Sequence, residues 1–484
     1  MICRPRLASD ALSQPGIRAL LLLLTLVSLY SIYGSLYFYR DPLSIFFSEE
    51  HGFDRFYSAT RQAEADEFLD AVLADPDLAR SELGNAGPTP KICAVFITVG
   101  RNVDGRQYID SAVGSFLANM SRAERETVHL KLFFADVPNP NAQHKSYAHL
   151  TAAGIADEIF TYNSTLPPKE KDAKIREFME YIKDRQDKHA LEKKTVYDYA
   201  YALDRCVLTT EAPYIALFEE DILLADGWAA RTLRNLQIIE EMMKDPRRRE
   251  PKKGKITPGV PNTWLYLRLF NQERSFGWSG GYGFRSNKLH IISFAVSIPL
   301  LLVLLLVRRK MPRHLARHLD GWTLLVICGL AVPLILWLFY ASGKAALIGS
   351  PPGVREEFFG CCNQALVYNR EHAEELSDFL KTASGRAIPG RSDMLPKKFA
   401  YEHGFARISA YPMLAQHAGR VSAIDTSNDE AKRVWSMAFE DLKPSKLTKE
   451  HVRDVQALFG DEAVEQMRRQ WVRSPGGSAN KTPI

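Results

Sequence analysis

The chain has 484 residues, 46% of them hydrophobic and 25% charged, with a formal net charge of +5. That length holds one large domain with additions, or two ordinary ones. No basic face carries interleaved aromatics, which sets nucleic-acid binding aside. Residues 1–16, with Arg4 and Arg6, form a cytosolic tail. Residues 17–39 are almost uncharged beyond Arg18, and a run of about twenty apolar residues is enough to cross a bilayer. The run ends in Tyr30, Tyr33, Tyr37 and Tyr39, which suit a membrane interface and not a cleavage site, so it reads as an uncleaved anchor. Residues 40–90 are expected to form a lumenal stem with an amphipathic helix around Glu64–Leu73.

The segment 91–288 alternates strands and helices, which predicts an α/β fold: a mostly parallel sheet flanked by helices. Ile92–Thr98 is an apolar strand closing in Val99-Gly100-Arg101, Val128–Val137 is a second strand and Glu158–Tyr162 a short third. Pro167-Pro168 opens a charged helical region, and an apolar-striped helix follows over Thr195–Thr210. It leads into Tyr214-Ile-Ala-Leu-Phe-Glu-Glu-Asp221, a strand ending in three carboxylates. Alternation puts Glu219 and Asp221 on one face and Glu220 on the other. Ligands of open α/β sheets bind at the carboxyl ends of strands, and convergent acids there need a positive partner. A hard divalent cation shared with a phosphate answers that need; the plainer alternative is a solvated strand end with Asp226 capping the next helix. After the basic loop Asp245–Asn262 and the strand Trp264–Phe270 comes Phe276-Gly277-Trp278-Ser-Gly280-Gly281-Tyr-Gly-Phe284. Its glycines permit close backbone approach, and Trp278 offers a sugar ring an aromatic face.

Residues 289–341 form a transmembrane hairpin, Ile291–Val307 and Trp322–Tyr340, around Arg308-Arg309-Lys310, Arg313 and Arg317. Short basic loops stay cytosolic, so both flanks of the hairpin lie on the lumenal side. Asn119, Asn163 and Asn480 begin acceptor sequons there, and Cys93, Cys206, Cys361 and Cys362 allow three pairings. Residues 342–470 resume the interrupted domain and end its fold near Gln416-His417-Ala-Gly419; residues 471–484 are expected to be disordered.

Val-Gly-Arg after the first strand, the acidic triplet, the late Gln-His-Ala-Gly and the inserted hairpin together form a pattern. It resembles the Golgi GPI N-acetylgalactosaminyltransferase family, whose glycosyltransferase A-type domain is split by a tandem transmembrane insertion. The family carries Glu-Asp-Asp where this chain has Glu219-Glu220-Asp221. The resemblance implies transfer of N-acetylgalactosamine, with inversion, from a UDP-sugar donor to the glycan of a membrane-bound GPI anchor. It also implies Mn²⁺ (or Mg²⁺) as cofactor and a Golgi membrane location, with the endoplasmic reticulum as the alternative. Asp221, with Glu219, is expected at the metal, and Glu220 at ribose or sugar. Thr98, Arg101, Trp278, Gly280, Gly281 and His417 are expected around the donor. Asp393 resembles the catalytic base that takes the acceptor hydroxyl's proton; Glu356, Glu357 and Glu402 are the other candidates. Rival readings are an N-glycan-modifying transferase and a catalytically silent membrane adaptor of the same fold.

Overall fold

The computed structural model describes residues 14–101, 106–136, 144–162, 188–245, 263–273, 277–278, 288–357, 362–386, 393–419 and 434–473. They divide into two compact units, one of residues 1–54 and 273–350, the other of residues 55–272 and 351–484.

The first unit holds three helices long and apolar enough to cross a membrane: α1 (Pro15–Tyr37) and, numbered below in chain order, α9 (Leu289–Lys310) and α10 (Gly321–Ala341). Their leucines, isoleucines and aromatics are largely exposed, as a bilayer-facing surface requires. Gly16 lets α1 approach α10, since a Cβ there would lie 2.7 Å from that of Trp322. At the other end Tyr30 Oη and Ser342 Oγ share a 2.7 Å hydrogen bond.

The second unit opens with α2 (Tyr57–Ala74) and α3 (Pro76–Leu83). Then follow β1 (Ile92–Thr98), α4 (Tyr108–Leu117), α5 (Arg122–Glu126), β2 (Val128–Phe134), α6 (Tyr147–Ala153) and β3 (Glu158–Thr161). Next come α7 (Lys188–Thr209), β4 (Tyr214–Glu219), β5 (Ile222–Leu224), α8 (Trp228–Lys244) and β6 (Trp264–Arg268). Beyond the hairpin lie β7 (Gly353–Glu356), β8 (Ala365–Asn369), α11 (Ala373–Arg386), α12 (Leu395–His403), β9 (Ala406–Tyr411), β10 (Ala415–His417), α13 (Pro444–Phe459) and α14 (Asp461–Arg473).

Eight strands form one sheet in the order β3-β2-β1-β4-β8-β6-β9-β7. Strands β3, β2, β1 and β4 pair in parallel, as do β6 and β9; β8 runs antiparallel between β4 and β6, and β7 antiparallel on the edge. Because β8 and β9 bracket β6, segments from both sides of the hairpin complete a single sheet. Alternation along β1 feeds two cores. Ile92, Ala94 and Phe96 join the one with α4 and α8; Cys93, Val95 and Ile97 join the one with α7 and α11. The α/β sheet with helices on both faces is thus as the sequence leads one to expect.

Four expectations change. From residue 55 onward the segment expected as the stem belongs to the second unit. Arg61 on α2 is fully buried and donates to the carbonyls of Leu224, Ser115 and Ala118 at 2.8, 2.7 and 3.0 Å. The helix packs so closely on α4 that a Cβ on Gly114 would lie 2.3 Å from the Ala65 carbonyl oxygen. Residues 444–473 add two helices where the sequence offered none, α14 running to Arg473. Of the three pairings allowed to the four cysteines expected on the lumenal side, the structure forms Cys93–Cys206, joining β1 to α7. Asp226 does not cap α8: Gly227 holds the N-cap position, at φ 70°, and Asp226 faces His451 instead. Cys361, Asn163, Asn480 and the segments 163–187 and 246–262 lie outside the described residues.

Candidate active site

Parallel strands β1 and β4 end side by side, with Ile97 opposite Glu219, so the loop after β1 meets the acids after β4. Glu220 turns toward β1. Its Oε2 accepts from the Thr98 hydroxyl and, at 2.8 Å, from the Val99 amide, while Oε1 accepts from Arg101 Nε. Both oxygens are thereby spent within the protein. Glu220, expected at ribose or sugar, here shapes the β1 loop.

Asp221 is brought to His417 by a short antiparallel ribbon in which Ile222 pairs with His417, Leu223 with Gln416 and Leu224 with Ala415. The Ala418 amide closes it on the Asp221 carbonyl at 2.7 Å. Gln416 anchors the ribbon from below. Its amide donates to the Ser436 carbonyl and to Glu440 Oε1 at 3.0 and 2.7 Å, and accepts from the Ser436 amide at 3.0 Å. The Asp221 Oδ2 atom lies 3.3 Å from an Arg101 guanidinium nitrogen and 3.4 Å from His417 Nε2. Its Oδ1 is buried with no hydrogen-bond partner. Gly419 passes so near that a Cβ there would sit 2.5 Å from Oδ2 and 3.0 Å from His417 Nε2.

Glu219 points to the opposite sheet face from Glu220 and accepts from the Tyr199 hydroxyl at 2.5 Å. Burial, with the Asp221 charge beside it, pushes Glu219 up to about 7. Burial alone would raise Asp221 too, but His417 and Arg101 outweigh it and hold that carboxyl well below the usual range. Burial likewise opposes charging His417, and Asp221 overrides it, raising the imidazole. The cluster is an anionic set balanced by Arg101 and His417, with one carboxylate oxygen to spare.

Hydrogen bonds continue outward from Thr98. Because its hydroxyl proton goes to Glu220, it accepts from His144 Nε2 at 2.8 Å, and His144 Nδ1 accepts from the Ser146 amide at 3.2 Å. This assigns a neutral imidazole protonated on Nε2, in keeping with a pKa that burial lowers. Asp136, just past β2, takes the Gly100 amide on Oδ1 at 2.8 Å and keeps a buried Oδ2 unpartnered. Sequence reasoning passed over Asp136, His144 and Tyr199. Asp136 had a signal, an acid at a strand's carboxyl end, whereas Tyr199 reads as one more apolar position of its helix.

The remaining expected residues are placed as follows. Asp393 lies half-buried in the turn before α12, whose N-cap position falls to Met394. Glu357 is no base: it is buried against Arg268, which donates to it at 2.9 and 3.1 Å, and accepts from Tyr266 at 2.7 Å. Glu402 sits on α12 3.8 Å from Lys398. Trp278 belongs to the first unit. Its indole donates to the Tyr340 carbonyl at 3.1 Å and its ring packs on Phe339 and Tyr340. Gly280 and Gly281 lie outside the described residues.

Among the described residues no group of three or more His, Cys, Asp or Glu is arranged to enclose a metal ion. A closed protein cage is therefore not what the donor set offers. The orphaned Asp221 Oδ1 suits the open kind of site, in which Mg²⁺ or Mn²⁺ takes one or two carboxylates, water and substrate phosphate oxygens.

No protein-family model and no curated protein sequence matches the chain. Among solved structures, a similar one is mannosyltransferase PcManGT from Pyrobaculum calidifontis in complex with GDP-Man and Mn2+, at 11% identity. The match covers 88% of each chain with a TM-score of 0.30, a likeness too loose to transfer any residue's role.

Proposed function

We propose that this chain is a membrane-anchored glycosyltransferase that moves a sugar from a nucleotide-sugar donor to an acceptor hydroxyl. In its finer form, following the family resemblance, the donor is UDP-N-acetylgalactosamine, the acceptor is the glycan of a GPI anchor, and the anomeric centre inverts. The observation that carries this reading is Asp221: a buried carboxylate at the carboxyl end of β4, flanked by Arg101 and His417, with one oxygen unengaged.

A diphosphate leaving group gathers negative charge as the glycosidic bond breaks, and fixed positive groups stabilise that charge without reorganising. Arg101 and His417 are such groups, held in place by Glu220 and by the Gln416 ribbon. Asp221, assisted by Glu219, would hold the divalent cation, which when bound supplies further charge for the diphosphate. Asp136, with its free oxygen at the end of β2, faces the nucleoside, and Thr98 serves by fixing Glu220 instead of touching the donor. Asp393 takes the acceptor's proton.

The disulfide Cys93–Cys206 supports a lumenal, oxidising location for the second unit, in the Golgi or the endoplasmic reticulum. The chain passes between the two units at three points, after residues 54, 272 and 350. Three tethers to the membrane reduce the orientational freedom lost on meeting an acceptor that is itself lipid-linked. The test is to incubate the full chain with a panel of UDP-sugars and a GPI-glycan acceptor and to read the product by mass spectrometry. Addition of one N-acetylhexosamine, abolished by Asp221→Asn, is expected; product formed only on protein N-glycans would redirect the reading to that acceptor.

A further inference from the structure

A second recess lies among α2, the start of α4 and the start of α6. It encloses about 290 Å³, near the lower end of ligand-pocket sizes, roughly 300 Å³ upward. Leu69 and Leu73 provide its apolar floor, and Arg106, Gln107, Asp110, Lys145, Ser146 and His149 its walls. Two polar atoms of this wall have no hydrogen-bond partner although their residues are almost wholly buried: Gln107 Nε2 and Ser146 Oγ. The orientation of the Gln107 amide is fixed, because its Oε1 accepts from the Arg101 amide at 3.2 Å, so the unsatisfied end is the donor. The one acid on the wall, Asp110, is engaged by His149 Nε2 at 2.9 Å. Unsatisfied buried donors are costly, and an occupant rich in acceptors relieves that cost.

We infer that this recess binds a small phosphorylated metabolite, its phosphoryl oxygens taken by Gln107, Ser146 and Lys145 and its apolar stem lying on Leu69 and Leu73. A phosphoryl group fits better than a planar carboxylate. The group that reads carboxylates bidentately, Arg106, is already paired with Asp66 and Asp70. The recess is linked to the carboxylate cluster on two sides, through Gln107 to the Arg101 backbone and through Ser146 and His144 to Thr98. Occupancy is thereby in a position to stiffen the loop that carries Arg101.

The experiment is calorimetric titration of the detergent-solubilised full chain with sn-glycerol 3-phosphate, with glycerol as the uncharged control. Saturable binding of the phosphate ester alone is expected. It should weaken roughly tenfold or more in the Lys145→Met, Ser146→Ala double variant, the scale of a lost charge-assisted hydrogen bond. An unchanged melting temperature shows that the variant is folded; if it melts early, Lys145→Met alone is titrated under the same expectation. No saturable binding, equal binding of glycerol, or undiminished binding by the folded variant overturns the inference. So does displacement of the probe by UDP, which would merge this recess with the donor site. None of these outcomes depends on whether the chain transfers sugar.

Discussion

Gly419→Ala is the sharpest perturbation of the carboxylate cluster. The glycine is there for space and not for conformation, since its φ lies outside the left-handed region. An added methyl would stand 2.5 Å from Asp221 Oδ2, and 3.0 Å is the shortest separation such atoms tolerate. Asp221 or the Gly419 backbone must therefore move by at least about 0.5 Å, and a 1 Å misplacement can cost roughly a hundredfold in rate. We expect turnover of the nucleotide sugar to fall about ten- to a hundredfold, with a stability cost of about 1–3 kcal/mol from overpacking. The matched control is Gly460→Ala. That residue, at φ 84°, has nothing within 4 Å of its would-be Cβ, so the change strains the backbone without touching the site. With ψ at -178° that backbone conformation is almost confined to glycine, so the change should cost about 1–3 kcal/mol and leave turnover intact. The assay is UDP release from purified protein at saturating donor, alongside thermal melts of all three forms. Wild-type turnover in Gly419→Ala, or an equal loss in Gly460→Ala, would refute the reasoning.

Three further outcomes are expected. His451 is buried between Glu124 at 2.8 Å and Asp226 at 3.7 Å; burial opposes its charge, but the two acids prevail and push it up to about 10 from the ordinary 6.5. A raised folded-state value gives stability that is complete below about 6.5 and disappears as pH rises through about 10, so the stability gap between wild type and His451→Gln should narrow by up to about 1.4 kcal/mol per pH unit across that window in denaturant titrations. Reducing Cys93–Cys206, or replacing Cys206 by Ser, releases a loop with a sequence separation of 113 and should cost about 2–5 kcal/mol in the same titrations. Replacing residues 288–346 by a short linker should spare nucleotide binding by the second unit and impair transfer to a lipid-linked acceptor but not to a soluble glycan; equal activity on both acceptors would remove the rationale for the paired spans.

What the sequence shows well is whatever repeats along it. The three spans are long uninterrupted apolar runs, and β1 and β4 are short ones that end in polar residues, so anchor, hairpin and acidic strand end were all visible. Placing Arg101 and the acidic triplet at strands' carboxyl ends put them in one neighbourhood, but the pairing of Glu220 with Arg101 and of Asp221 with His417 was not legible in the sequence. Features that depend on three-dimensional register were not visible. Cys93 finds Cys206 only because β1 turns that residue toward α7. Arg61 gives no sign of burial, since nothing local announces the three carbonyls that receive it. The C-terminal helix α13 hides its core face by placing His451, a polar residue, between Leu447 and Val455. Trp278 was singled out as an aromatic beside glycines, and nothing in the sequence shows its packing on Phe339 and Tyr340.

The most direct test is the affinity of the purified full chain for UDP with Mn²⁺, measured by calorimetry for the wild type and for Asp221→Asn. We expect saturable, Mn²⁺-dependent binding that the substitution weakens at least about tenfold, since it neutralises the acid between Arg101 and His417 whose Oδ1 is unengaged. Equal affinity in the two proteins, or no nucleotide binding by the wild type, would contradict the assignment of this cluster to a nucleotide-sugar site.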